Sequence, residues 1–595
     1  MLRFLGTWQQ PLLGLVESWN IFTRPSVQPS KYGKKHEPFK PTTSEELEHI
    51  LKKLDVRAVE WREKPRKEKS TLLRECIDTI IDIAEEIART STEYKGTYGQ
   101  GFGEELLCVV PLVSALREFA ESLEAPSFPK AYSIKRSVNP SQWIVDVFPM
   151  GYDAVIFGDF SGELWIMPHY GVSQGKQLTQ NETETEPGVG LVLGAGNQYL
   201  LSILDILYVL LMQSRVVICK LNPVNEYIGP FLRQALSPLV DSGYVEFVYG
   251  GEREGMYLVQ NKLVKSVHLT GSHRTFDSIV WQGHPKTGNP PLEKLVTAEL
   301  GCVTPYIILP DVWTPEEIEY HATTVVSALV NNAGHNCLAA EILVTDSAWP
   351  QREEFLDAVR RILNSTPRRT AYYPGSEKNF ERFRTTFPDC EQLGLNIAEE
   401  REQDGLPHPP WHFQANLSPE EASTDHENWC GVLQEVCIQT QSGNMKEYLQ
   451  EAAAFVNNKC WGTLSCGVIA KPITQKSHQS DFEVFISDLK YGSICINVPG
   501  LVGFGLTQLS WGAYGERDFD AAALDIGSGN CKVHNTFFFD HVEKSVVRGP
   551  WIFHPHPYWV VSHRNLENVA KATFQYMKSK SLQSISKLLP EALKG

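Results

Sequence analysis

The sequence predicts an α/β fold in which parallel strands are covered by helices on both faces. The first observation is a series of short, continuously apolar runs, because a strand buried on both faces has no polar side. The second is that helical segments of roughly 10 to 15 residues separate the runs, as in repeated strand–helix–strand units. The runs are PGVGLVLGAGN (187–197), SRVVICKLNP (214–223), YVEFVYGG (244–251), SVHLTGS (266–272), PYIIL (305–309), EILVTD (341–346) and GVIAKP (467–472).

Composition limits the class of protein. The chain has 595 residues, too many for one hydrophobic core, and its 42% hydrophobic and 21% charged residues are typical of a soluble globular protein. A net charge of −16 argues against nucleic acid as a partner. The 12 cysteines are scattered, without a CxxC pair or a Cys/His cluster at metal-ligand spacing. They predict free thiols, no metal site and a cytoplasmic location.

We expect no transmembrane segment. No apolar run reaches the roughly 18 uncharged residues of a membrane span. The longest candidate begins at Gln198 and is interrupted by Asp205, which favours a buried helix. Residues 1–40 lack periodicity and predict an irregular extension. Their short apolar start leaves membrane-surface or organellar targeting open, although it is poor in basic residues.

The regions outside the strand series complete the predicted organisation. Helical periodicity starts near residue 43, where Thr43 or Ser44 can cap a helix, and a second helix follows Pro65. The charged, proline-containing segment 365–428 predicts long surface loops. We predict an N-terminal extension, a helical and nucleotide-binding domain, a catalytic domain, and a C-terminal return segment with a β-hairpin and a terminal helix. Their ranges are 1–40, 41–298, 299–500 and 501–595.

Several short motifs each allow a functional and a plain structural interpretation. GAGN (194–197) and LTGS (269–272) end strands where backbone N–H groups can meet a phosphate, but each also fits an ordinary turn. Glu299, in apolar surroundings, would have a raised pKa and could act as a base, or could face water at a helix end. Cys337, in NNAGHNC, is a candidate reactive thiolate or a small buried side chain. No single motif decides between these alternatives.

Together, four blocks resemble the aldehyde dehydrogenase superfamily over roughly residues 45–515. EPGVGLVLGAGN resembles the strand and turn that present the oxyanion-hole asparagine, and Asn197 precedes Lys220 by the family's 23 residues. VHLTGS resembles the family's phosphate-approach turn. AELGCVTPYIILPD resembles the ELGGKSP block, which carries the general base, and NNAGHNC resembles the NxGQxC block, which carries the nucleophile. The order and spacing of the four blocks are far more specific than any one of them.

The resemblance implies a fold, a reaction and a set of contacts. The fold would combine a Rossmann-type cofactor domain, an α/β catalytic domain and a small β oligomerisation element, in a homodimer or homotetramer. Cys337 would attack an aldehyde, Asn197 and the Cys337 backbone N–H would hold the oxyanion, and Glu299 would activate water. The cofactor would be NAD or NADP. Its implied contacts are Lys220, Asn222, Gly251, Gly255, Gly271, Ser272, Leu300 and Glu427.

The sequence also departs from the family pattern. GAGNQ replaces PWNFP, and Pro223 stands where a glutamate often holds the ribose hydroxyls, so NADP becomes acceptable. Phe276 replaces a glycine after TGS, and His335, in place of a glutamine, could tune the thiol or fill space. The EIFGP block is reduced to ENWCGV (427–432), which puts Asn428 at the ribose-binding position with Glu427 beside it.

These departures keep two alternatives open. One is a CoA-linked acylating dehydrogenase or acyl-CoA reductase, which the GAGN turn favours and Glu299 disfavours. The other is a family member that binds nucleotide without catalysis. The terminal segment NLENVAKATFQYMKSKSLQSISKLL predicts one amphipathic helix that either touches a membrane or partner or lies solvated on the surface.

Overall fold

A computed structural model describes residues 39–97, 101–395, 408–441, 443–516 and 523–595. Almost all of the predicted extension at 1–40 lies outside these ranges. The α/β class is confirmed, with five-stranded, eleven-stranded and two-stranded sheets in the described chain. Among the described residues, no helix is both long enough and apolar enough to cross a membrane.

Twenty α-helices are bounded as follows: α1 Ser44–Glu63, α2 Arg66–Lys95, α3 Gly101–Leu107, α4 Val109–Glu124, α5 Asp153–Ile156, α6 Lys176–Thr183, α7 Tyr199–Leu207, α8 Gly229–Ala235, α9 Ser237–Asp241, α10 Glu252–Gln260, α11 His273–Trp281, α12 Pro315–Val330, α13 Arg352–Ser365, α14 Ser376–Thr386, α15 Met445–Lys459, α16 Pro472–Ser477, α17 Gln479–Asp488, α18 Gly500–Gly505, α19 Leu566–Lys578 and α20 Leu582–Ala592. A π-helical turn, Tyr208–Met212, extends α7.

The strands are β1 Ser133–Arg136, β2 Trp143–Phe148, β3 Ser161–Ile166, β4 Val189–Leu193, β5 Val216–Lys220, β6 Val245–Val248, β7 Val264–Gly271, β8 Leu295–Leu300, β9 Thr304–Ile308, β10 Ala340–Asp346, β11 Glu391–Leu393, β12 Trp411–Leu417, β13 Val432–Ile438, β14 Ser465–Ile469, β15 Ser493–Ile496, β16 Ser510–Gly512, β17 Lys532–His534 and β18 Val542–Arg548. Each apolar run predicted as a strand overlaps one of them.

The five-stranded sheet is parallel throughout, in the order β6-β5-β4-β7-β8. Its central strand β4 has Leu191 paired with Ile218 on one side and Val267 on the other. Helices α1 and α7 pack on this sheet and bury its apolar strands. All five strands point the same way, so the turns that follow β4, β5, β6 and β7 meet at one edge.

The eleven-stranded sheet has the order β1-β2-β3-β18-β15-β14-β9-β10-β13-β12-β11. The seven strands from β18 to β12 are parallel, and antiparallel strands extend both edges. The prediction of long surface loops over 365–428 is wrong, because α14, β11 and β12 lie within it. Trp411 and Phe413 of β12 are buried. Their short apolar run is surrounded by charged and proline-rich sequence, so the sequence pattern does not indicate a buried strand there.

The N-terminal helices follow the predicted signals. Thr43 Oγ1 accepts the backbone N–H of Glu46, whose carboxylate accepts the Thr43 N–H, so the two residues form a capping box. Helix α2 begins directly after Pro65 and ends at Gly96, which takes the left-handed conformation favoured at helix ends.

Two predicted single helices are each broken in two. Residues 230–243, one of the helical segments expected between the strand runs, form α8 and α9 instead of one helix, because Leu236 leaves helical geometry and Pro238 starts a new helix. The terminal helix becomes α19 and α20, since Ser581 caps the second one. The apolar face of α19 packs on α3 and α4 and buries Phe574, so it is covered by the chain itself.

The predicted β-hairpin after residue 531 is not formed by β17 and β18. Strand β17 pairs with β16, and β18 enters the large sheet between β3 and β15. Six of the seven residues of β18 are buried, which suits the interior of a sheet better than an exposed hairpin.

Candidate active site

Cys337 lies between α12 and β10, shortly after a tight turn. Asn332, Ala333 and Gly334 all have left-handed backbone angles, with φ of 51°, 58° and 78°. At Gly334 a Cβ atom would lie 2.7 Å from the backbone carbon of Cys430, so a glycine is required there. The asparagines and glycine that sequence reasoning singled out therefore shape the turn before the sulfur.

Cys337 is half-buried and lies against Glu299. Its thiol and the Glu299 carboxyl are close enough for each to shift the pKa of the other. Burial raises the pKa of Cys337 well above the ordinary thiol value, and the charge of Glu299 raises it further. The sulfur is thus a protonated thiol at neutral pH. A base is needed to activate it, and Glu299 is the base in contact.

Glu299 lies in β8 with its side chain enclosed. It is 3% exposed, and Trp511 Nε1 donates a hydrogen bond of 3.1 Å to its Oε1. Burial raises the pKa of Glu299 to about 8, and the charge of Asp205 acts in the same direction. The alternative of a helix-end carboxylate facing water does not match this environment.

Asn197 ends the GAGN turn beside Cys337. Its Nδ2 donates a hydrogen bond of 3.0 Å to the His335 carbonyl, which uses one of the two amide hydrogens. Its own carbonyl accepts hydrogen bonds from Tyr372 Oη at 3.1 Å and Asn332 Nδ2 at 3.4 Å. These contacts join the β4 turn to the Cys337 turn. Asn197 and Cys337 line the same cavity.

A buried ion pair supports both turns, and sequence reasoning missed it. Lys95 and Glu105 are 2% and 3% exposed, and Lys95 Nζ lies 2.7 Å from Glu105 Oε1. The same Nζ donates to Gln198 Oε1 at 3.1 Å and to Asn332 Oδ1 at 3.3 Å. One signal was present in the sequence: Lys95 continues the three- and four-residue spacing of the buried face of α2.

His335 is enclosed and neutral. Its ring nitrogens lie 3.1 Å from the Asn332 carbonyl and 2.7 Å from Ser376 Oγ. Burial lowers the pKa of His335 to about 3, so the ring carries no charge that could stabilise a thiolate. Of the two roles considered for it, the structure favours filling and bracing the turn.

The expected cofactor contacts fall at the edge where the parallel strands end. Lys220 is 9% exposed, and burial lowers its pKa while the charges of Glu254 and Glu226 oppose that shift. Side-chain positions at Gly251 and Gly255 would enter open space, which leaves a shallow cradle beside α10. An amino group and a bare backbone surface at this edge suit the hydroxyl and phosphate groups of a dinucleotide.

Other predicted contacts are occupied by structural bonds. Asn222 Oδ1 accepts the Val224 N–H at 3.0 Å, and Ser272 Oγ accepts the Thr275 N–H at 3.2 Å as the cap of α11. Gly271, which precedes that cap, ends β7. Leu300 is buried, and its N–H donates to the Ser528 carbonyl at 3.0 Å.

The structure distinguishes Glu427 from Asn428 at the altered block. The backbone N–H and Nδ2 of Asn428 both donate to the buried Glu341, at 2.9 and 3.0 Å, which ties Asn428 into the core. Glu427 Oε1 instead accepts the Cys302 N–H at 3.3 Å. Burial raises the pKa of Glu427 well above its ordinary value, as does the charge of Glu341. Glu427, and not Asn428, is therefore the side chain placed near the reacting pair.

A large cavity opens at Cys337. It is partly open to solvent. Asn197, Asn336 and Cys337 line its polar part, and mostly apolar side chains line the remainder. A substrate carbonyl placed there would meet the thiol and the asparagine amide together.

Part of the chain matches a known protein family. The model of the aldehyde dehydrogenase family matches residues 176–395. A putative aldehyde dehydrogenase of Staphylococcus haemolyticus is 31% identical over 147 residues, which are 24% of this chain and 28% of that protein. A malonate-semialdehyde dehydrogenase of Listeria monocytogenes is 23% identical over 233 residues, or 36% and 45% of the two chains. The matches thus span less than half the length of these curated relatives.

Solved structures match over much more of the chain. Lactaldehyde dehydrogenase from Escherichia coli superposes with a TM-score of 0.58 at 16% identity, covering 86% of this chain and 91% of that one. Betaine aldehyde dehydrogenase from Staphylococcus aureus, in complex with NAD⁺, gives a TM-score of 0.59 at 14% identity, covering 85% and 87%. The predicted fold class is confirmed by these matches.

Proposed function

Because the chain belongs to the aldehyde dehydrogenase superfamily, we propose that it oxidises an aldehyde to a carboxylic acid with NAD or NADP. The observation that carries the proposal is the proximity of Cys337 and Glu299, with Asn197 and Cys337 on one cavity. A nucleophile, a base and an amide donor are the groups that acyl chemistry on a thiol requires.

In the first step, ionised Glu299 accepts the Cys337 thiol proton, and the sulfur adds to the aldehyde carbonyl carbon. The developing oxyanion accepts hydrogen bonds from Asn197 Nδ2 and from the Cys337 backbone N–H. The backbone of the left-handed turn is already fixed, so these donors need little reorganisation when the charge forms. The product of this step is a hemithioacetal on Cys337.

A bound nicotinamide dinucleotide would supply the hydride acceptor that turns the hemithioacetal on Cys337 into a thioester. Lys220 and the open backbone at Gly251 and Gly255 would hold the dinucleotide, and Glu427 would lie near its nicotinamide end. Glu299, after releasing the thiol proton to solvent, takes a proton from water, whose oxygen adds to the thioester carbonyl carbon. The carbon–sulfur bond then breaks, the acid leaves, and the Cys337 thiolate takes the proton from Glu299.

Glu299 also bears on the CoA-linked alternative. A thioester passed to CoA needs no base to activate water, yet the Glu299 carboxyl is held against the sulfur by the Trp511 hydrogen bond. This arrangement favours hydrolysis. Non-catalytic nucleotide binding is disfavoured by the assembly of Cys337, Glu299 and Asn197 at one cavity.

The test is formation of reduced nicotinamide from a panel of aldehydes with NAD and with NADP, followed by product analysis with and without CoA. We expect a free acid as product, and turnover that is lost in Cys337→Ala. Cys390→Ala, which removes a half-buried cysteine elsewhere, is the matched control and should stay active. A folded protein that oxidises no aldehyde, or a fully active Cys337→Ala, would contradict the proposal.

A further inference from the structure

The cavity that starts at Cys337 has an apolar wall built from three distant parts of the chain. Helices α3 and α4, the segment around α18 and the C-terminal segment before and after the start of α19 all contribute to it. Representative lining residues are Leu107, Val110, Leu501, Phe504, Trp559 and Met577. A small polar substrate would leave most of this apolar wall in contact with water, so burial of the wall would add little to its free energy of binding.

The charged residues on the wall are already paired. Among the described lining residues the one cation is Lys580, whose Nζ contacts the Asp153 carboxylate. Glu104, the remaining lining carboxylate, is held by Arg369 at 2.5 Å. A substrate carboxylate would therefore find no free positive charge here, and burying it unpaired would be costly.

We propose that the substrate is an aldehyde with a long, unbranched aliphatic chain whose tail fills this cavity. The inference rests on the proposed function and adds the substrate class. Mostly apolar side chains line the cavity that opens at Cys337, so an alkyl tail placed there would exchange water for apolar contacts. The same wall excludes carboxylated aldehydes such as malonate semialdehyde, the substrate named for a relative of this chain.

The kinetic test compares straight-chain aldehydes from propanal to dodecanal with malonate semialdehyde. Each methylene buried in the cavity should raise kcat/KM about threefold to fourfold until the cavity is full. Malonate semialdehyde should be among the poorest substrates. A flat profile along the series, or a preference for malonate semialdehyde, would overturn the inference while leaving aldehyde oxidation in place.

A substitution that fills part of the cavity tests whether the aldehyde tail binds there. Gly505 lines the cavity, and a side chain there would enter open space. Gly505→Phe should lower the ratio of kcat/KM for dodecanal to that for propanal at least tenfold. Gly171→Phe also places a ring in open space but lies outside the cavity lining, and its ratio should be unchanged. Equal ratios in the two variants would count against the assigned tail site.

A measurement without turnover separates the two proposals. Dodecanol is an unreactive probe that should slow alkylation of Cys337 by iodoacetamide at pH 9, as followed by peptide mass spectrometry. Cys390, half-buried elsewhere, is the internal reference and should be alkylated at an unchanged rate. If dodecanol protected Cys337 less than propanol does, the inference would be contradicted even if aldehydes are oxidised. Strong protection without any oxidation would preserve the tail site and remove the proposed reaction.

Discussion

Glu299 must be ionised to accept a proton, and its enclosed position holds it protonated at neutral pH. Burial raises its pKa to about 8. About one-tenth of the carboxyl is therefore ionised at pH 7 and about nine-tenths at pH 9. We expect kcat for aldehyde oxidation to rise about tenfold between these pH values, if thioester hydrolysis limits turnover.

Glu299→Gln separates this titration from that of the thiol. The amide cannot accept a proton, so steady-state kcat should fall by about two to four orders of magnitude. Since the Glu299 charge raises the pKa of Cys337, its removal makes the thiolate easier to form at pH 9. At pH 9 hydroxide can take the thiol proton in place of Glu299, so the first turnover should survive, more slowly than in wild type, as a burst of reduced nicotinamide in stopped-flow measurements.

Two results would refute this reasoning. One is a wild-type kcat that is flat between pH 7 and pH 9. The other is a Glu299→Gln variant with an undiminished steady-state rate. Either would mean that a group other than Glu299 activates water.

Three further changes test how the site is held. Lys95→Met breaks a buried ion pair and should lower both the free energy of unfolding, by about 3–5 kcal/mol, and kcat. Lys69→Met, at another buried lysine of α2, is the control and should lower the free energy of unfolding alone. An equal loss of kcat in the two variants would contradict a positioning role for Lys95. Gly334→Ala should reduce kcat because its Cβ would strike the Cys430 backbone, whereas Gly443→Ala shares the left-handed φ without the clash and should cost only about 1–2 kcal/mol of stability. Between pH 5 and 8 the folded state binds more protons at Glu299 than the unfolded state does, so wild type loses stability as the pH rises and Glu299→Gln does not. In thermal denaturation, the free energy of unfolding of Glu299→Gln should therefore gain about 1.4 kcal/mol per pH unit relative to wild type. A difference that stays constant with pH would contradict the raised pKa of Glu299.

Much of the fold could be predicted because burial on both faces leaves a simple mark in the sequence. The strands of the five-stranded sheet are continuous apolar runs that end in glycine or polar residues. Strand β12 escaped prediction because WHFQANL is short, mixed in polarity and surrounded by charged sequence. The division of the terminal helix depends on a single cap at Ser581, which periodicity alone does not reveal.

The candidate site could be predicted in part, for a related reason. Cys337, Asn197 and Glu299 lie in blocks whose order along the chain resembles a known family, so they were recognisable before any contact was known. Lys95 acts through residues more than a hundred positions away, and that proximity is set by the tertiary fold. The choice of Glu427 over Asn428 likewise depends on the contact of Asn428 with buried Glu341.

The most direct test of the central claim is to trap the acyl group on the chain. Glu299→Gln is mixed with aldehyde and oxidised cofactor at pH 9, quenched in acid and analysed by intact-mass and peptide mass spectrometry. The account predicts one acyl group per chain, located on Cys337, together with one equivalent of reduced nicotinamide. An acyl group on Cys108, the other cysteine that lines the cavity, or reduced nicotinamide without any acyl-enzyme, would contradict it.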